Sequence, residues 1–160
     1  MRIMGIDPGL AIVGFGILDQ RGNMLKPVDF GCIKTETNLS LPTRLKQIYD
    51  ACSIIMDEHQ PDVVAVEKLF FNRNVTTAFT VGQARGVILL AAEEAGIPIT
   101  EYTPLQVKMA VTGYGQAEKK QIQEMVKMLL SLPRIPKPDD VADALAVAIC
   151  EAHSGSLMNE

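Results

Sequence analysis

The chain has 160 residues, 48% of them apolar and 21% charged, with a formal net charge of −4. That length fits one domain with a real core, and the composition excludes a disordered chain. The longest wholly apolar run, 144–150, is a fraction of the ~18–20 residues of a membrane span. The opening MRIMGIDPG has no signal-peptide pattern. The expectation is a soluble, cytoplasmic protein with no membrane partner.

Three strands come first. Ile3 to Asp7 is a short apolar strand closed by the turn pair Pro8-Gly9. Ala11 to Leu18 is a second strand, 19–23 a hairpin loop, and Met24 to Thr35 a third. Pro27 lies early in that third strand and predicts an edge position. From Ser40 to Glu58, Leu41, Leu45, Ile48, Tyr49, Cys52, Ile55 and Met56 recur at helical spacing. Residues 61–68 read as a strand buried on both faces. Then come a long helix over 75–95, a strand over 97–102, a short helix over 104–111 and another over 118–131. A Pro-rich connector over 132–138 leads to a last helix from Asp139 to His153. The order β-β-β-α-β-α-β-α-α-α predicts an α/β fold. Its mixed five-stranded sheet has an antiparallel β1-β3 meander plus parallel strands and is flanked by helices.

The metal-ligand residue types are sparse. Cys32, Cys52 and Cys150 form no CxxC pair, and His59 and His153 have no ligand spacing. Both histidines read as surface or helix-end residues, the cysteines as free thiols. The carboxylates are more telling. Asp7 and Glu67 each end an apolar strand. If those strands are parallel neighbours, the two acids meet in the crevice at the carboxyl ends of the sheet, where ligands bind in open α/β folds.

The segment PDDVADALAVAIC, 138–150, opens the last helix with three aspartates. A cap and the helix dipole explain one or two of them. At about 100° per residue Asp140 and Asp143 lie ~60° apart and Asp139 and Asp143 ~40° apart, so spacing leaves the pair open. Four converging carboxylates would repel by several kcal/mol unless a cation joins them. An all-oxygen set suits Mg²⁺ or Mn²⁺, and two such ions form a clamp for phosphodiester cleavage.

GIDPGLAIVGFG, VEKLFFNRN, GQARGVI, TGYGQAEKKQIQ and DDVADALAVA, in that order over nearly the whole chain, resemble the RuvC family of Holliday junction resolvases. The resemblance implies a single ribonuclease H-like nuclease domain over 1–154 with a frayed tail over 155–160. It implies a homodimer that cuts four-way DNA junctions at two symmetric phosphodiesters, leaving 5′-phosphate and 3′-hydroxyl ends. It makes Asp7, Glu67, Asp140 and Asp143 the catalytic, metal-binding acids for two Mg²⁺ ions, with Mn²⁺ as a substitute, and returns Asp139 to the capping role. It points to Lys108 and Lys119 as basic residues near the active site or the DNA backbone, to Phe70 or Phe71 as a ring that stacks on bases, and to Arg73 and Arg85 as further DNA contacts. RuvA and RuvB are implied partners. The stripe Ala78, Gly82, Gly86 seats the long helix either on its own sheet or on a second copy. Rival readings are a sugar-kinase or actin-like ATPase, a ribosomal RNA-processing relative of the same fold, and a junction-binding protein without catalysis.

Overall fold

The computed structural model describes residues 1–69 and 75–155. Its sheet is built on β1 (Arg2–Asp7), β2 (Ile12–Arg21), β3 (Met24–Lys34), β4 (Val63–Glu67) and β5 (Ile99–Tyr102). The strand order is β3-β2-β1-β4-β5. β1, β2 and β3 form an antiparallel ribbon, and β4 and β5 join β1 in parallel. This is the predicted mixed sheet. The hairpin is tighter than the sequence led us to expect. β2 continues to Arg21 and only Gly22 and Asn23 turn the chain, with Gly22 at φ +58°. Pro27 does lie in an edge strand, where its missing N–H breaks no ladder bond on the open side.

Alternation along the strands splits the core in two. On one face lie Met4, Ile6, Val13, Phe15, Ile17, Val64 and Val66, covered by α1 (Leu41–His59) and α2 (Val75–Glu94). The other face carries Ile3, Leu18, Val63 and Ala65 under α5 (Asp139–Gly155). α3 (Pro104–Thr112) and α4 (Lys119–Leu129) pack on α5 from outside. That second layer explains why α5 is buried on nearly all sides.

α1 begins where Ser40 accepts a hydrogen bond from the Thr43 N–H, a cap worth about 1 kcal/mol. It ends at Gln60 in the left-handed region and buries Ile48, Cys52 and Met56, one i, i+4 ridge. α2 is long and apolar enough, by length and composition, to cross a membrane. No strictly apolar run announced this, because Thr, Gln and Arg interrupt it. It packs against α1 and β5. Gly82 faces the Leu69 side chain, while Gly86 has open space where a Cβ would stand. The stripe is therefore divided: its middle seats the helix on its own chain and its last glycine faces outward. Val75, Phe79 and Leu90 are exposed on the same helix.

Candidate active site

Asp7 is paired with Gly14 across the β1–β2 ladder, and Gly5 with Gly16. These three glycines face α5 and form a groove without side chains. A Cβ on Gly14 would stand 2.0 Å from the Asp140 carbonyl oxygen, and one on Gly5 2.1 Å from that of Ala144. Only glycine lets the helix backbone lie so close to the sheet. The groove thus sets the head of α5 beside Asp7. Sequence reasoning noted these glycines only within a motif. Their spacing, every second residue on one face of paired strands, was the signal for a close helix seat.

β1 and β4 run parallel with Ile6 opposite Val66, so Asp7 and Glu67 follow at adjacent tips. Asp7, Glu67 and Asp143 line one cleft of about 430 Å³, together with Lys108 and Lys119. Asp140 stands at its margin and is near enough for its charge to act on Asp7 and Asp143. The Asp7 carboxyl is pushed up to about 8, first by burial and then by the charges of Asp143, Asp140 and Glu67. Burial also raises Glu67, with Asp143 adding to it and Lys108 opposing. Asp143 is raised by burial against the pull of Lys119. Burial acts to lower Lys119, but Asp143 and Asp139 outweigh it and hold its ammonium charged.

Asp139 is not the cap. α5 starts at Asp139 itself, which leaves Pro138, with no side-chain acceptor, at the cap position. The Asp139 carboxylate instead accepts from Gln123 Nε2 at 3.2 Å and meets Lys119 Nζ at 3.5 Å. Lys119 Nζ lies 3.6 Å from Asp143, so it bridges the outer aspartate to the cleft. Arg85 pairs within the chain. Its guanidinium turns inward, 3.2 Å from Glu101 on β5. Phe70, Phe71 and Arg73 lie outside the described residues, as do residues 156–160 of the expected tail. Sequence reading also missed Glu151, buried in α5, which accepts from Thr100 at 2.7 Å and from the Tyr102 hydroxyl. That polar tie pins α5 to β5 on the sheet side of the cleft.

Among the described residues no His or Cys lines the cleft, so the carboxylate donors are oxygens, the set hard divalent cations take. Two lysines leave four nearby carboxylates undercompensated, and a cation fits that deficit. Among the described residues no three acid, His or Cys side chains converge on one point at ligand distances. Like charges repel at the cleft mouth, and such convergence is what a cation would impose.

The family model described as crossover junction endodeoxyribonuclease RuvC matches residues 3–151. The chain belongs to this family. The RuvC of Brevibacillus brevis is 66% identical over 152 residues, 95% of this chain and 92% of that relative. Thermus thermophilus RuvC, solved in complex with a Holliday junction substrate, superposes with a TM-score of 0.94 at 35% identity, covering 99% of this chain and 96% of that one. The yeast mitochondrial Holliday junction resolvase Ydc2 reaches a TM-score of 0.71 at 12% identity, covering 98% of this chain and 80% of that one. That likeness speaks for the fold alone. The ribonuclease H-like architecture is therefore that of the RuvC family, and the acid cleft sits at its carboxyl-end crevice.

Proposed function

We infer that the chain is a structure-selective DNA endonuclease that resolves Holliday junctions by paired symmetric nicks, leaving 5′-phosphate and 3′-hydroxyl ends. The observation that carries this is the acid cleft of Asp7, Glu67 and Asp143 in a chain that matches a junction-bound RuvC over nearly its full length.

Asp7, Glu67, Asp140 and Asp143 would hold two divalent cations, Mg²⁺ by preference and Mn²⁺ as a substitute. When bound, such cations supply Lewis acidity at phosphorus and offset charge on the attacking and leaving oxygens. The chain's own residues do the rest. Lys108 and Lys119 line the same cleft and hold the phosphate while negative charge develops on it. Phe70 or Phe71 would stack on bases at the crossover, with Arg73 on the backbone.

A four-way junction has two equivalent strands to cut, so two copies related by a twofold axis suit it. The exposed face of α2, with Phe79, Leu90 and the open Gly86, is the surface for that dimer. RuvA and RuvB would deliver the junction in the cytoplasm. The test is Asp7→Asn: binding of a four-way junction persists and cleavage is lost. Nicking at the wild-type rate by Asp7→Asn in Mg²⁺ overturns the assignment.

A further inference from the structure

The chain's charge is unevenly placed. Residues 104–138, which comprise α3, α4 and their connections, hold six Lys and Arg against two Glu. This stretch carries +4 in a chain of −4. A basic wall on an acidic protein is the electrostatic footprint of a polyanion. The wall borders the acid cleft directly, because Pro104, Lys108, Ala117 and Lys119 line it.

The same wall exposes apolar surface. Leu105 is 59% exposed, Met109 49% and Tyr114 54%. Tyr114 is held rather than loose. Gly113 turns at φ +74°, the Tyr114 N–H donates to Thr112 Oγ1 at 3.0 Å, and Thr112 Oγ1 donates to the Tyr114 carbonyl at 3.0 Å. The Ala117 N–H donates to that carbonyl as well, at 3.2 Å. A Cβ on Gly115 would meet Leu105 at 2.8 Å, so the loop is folded back on α3. The Tyr114 N–H and carbonyl are thus engaged and its hydroxyl donates to Gln116 Oε1 at 3.2 Å, while the residue stays about half exposed. It lines a second hollow that shares Ala117 and Glu118 with the acid cleft and also carries Lys120 and Glu124. The two hollows therefore abut.

We propose that Tyr114, on the basic α3–α4 wall, is a stacking platform for a nucleobase of the DNA strand that leaves the cleft. An aromatic ring with Lys120 in its own hollow and Lys108 and Lys119 in the adjoining cleft is a combination that holds single-stranded nucleic acid, the ring on base faces and the lysines on phosphates. Near the crossover of a junction, bases are less constrained than in a duplex arm, so a base face is there to be covered. Leu105 and Met109 contribute apolar surface beside the ring. This inference rests on the junction-cleaving reading above.

The experiment places 2-aminopurine singly at the positions flanking the cleaved phosphate of a synthetic junction, with Asp7→Asn in the background to prevent cutting. Stacking on Tyr114 changes the fluorescence of one labelled position. Tyr114→Ala abolishes that change and weakens junction binding about 10-fold, while Tyr114→Phe and Tyr114→Trp retain both. Single-turnover cleavage by the otherwise intact protein is measured in parallel. If that protein cuts junctions, yet Tyr114→Ala leaves both fluorescence and affinity unchanged, the platform is refuted and the junction reading stands. If it does not cut junctions, the junction reading fails and the platform falls with it. A fall in affinity that Tyr114→Phe shares, with no position-specific fluorescence change, also refutes stacking, since the ring is then not the agent.

Discussion

Replacing Asp7 with Asn should make the cation-free protein more stable. The Asp7 carboxyl sits at about 8 in the fold and near 4 in an unfolded chain. A raised carboxyl contributes its full stability below the unfolded value and loses it as pH climbs through the folded one. Asp7 therefore destabilises the fold progressively between about pH 4 and pH 8. At pH 7 the linkage ceiling is about 4 kcal/mol. The charge is shared with Glu67 and Asp143, so the cluster titrates as a unit and about half of that falls to Asp7, about 2 kcal/mol. For a domain of this size that is roughly 4–8 °C in Tm. The assay is thermal unfolding in EDTA at pH 4 and pH 7. Asp7→Asn gains over wild type at pH 7 and the gain disappears at pH 4. Mg²⁺ at pH 7 stabilises wild type more than the variant. An Asp7→Asn protein no more stable than wild type in EDTA at pH 7 would refute the charge-repulsion argument.

Further tests address the scaffold. Gly14→Ala puts a Cβ into the Asp140 carbonyl and must push α5 off the sheet. It should lower stability by about 1–3 kcal/mol in urea melts and reduce cleavage at least 100-fold by moving Asp140 and Asp143 together. Gly86→Ala meets no described atom beyond its own helix backbone and gains about 0.5–1 kcal/mol of helix propensity, yet would crowd a second copy in the proposed dimer. Sedimentation should show a weaker dimer with no loss of fold. Tyr102→Phe leaves Glu151 with Thr100 alone, at an expected loss of about 1–3 kcal/mol by denaturant unfolding.

Much of this was legible because strands and helices write different periods. Asp7 and Glu67 each close an apolar strand, and a right-handed return through α1 makes those strands parallel neighbours. What the spacing could not separate was Asp139 from Asp140. Angles on a helical wheel differ by too little, and the decision lies in how the groove of Gly5, Gly14 and Gly16 orients α5. The cap assignment failed for a related reason. Helix starts are set by backbone geometry after a proline-rich connector, and Asp139 found a better use beside Lys119 and Gln123. The intrachain ion pair of Arg85 had no signal in the sequence. Its partner Glu101 is sixteen residues away, on the edge strand β5. Tyr114 drew no notice because one aromatic residue in a glycine-rich turn has no period to betray its exposure.

The central claim is that the cleft at the tips of β1 and β4 cuts four-way junctions. A synthetic four-way junction, labelled in turn on each strand and incubated with and without Mg²⁺, tests it most directly. Expected are paired nicks at symmetric positions on two opposite strands, sealed by ligase, dependent on the cation and absent in Asp143→Asn despite retained binding. Intact junctions in Mg²⁺ with wild-type protein, or nicks that survive in Asp143→Asn, would contradict it.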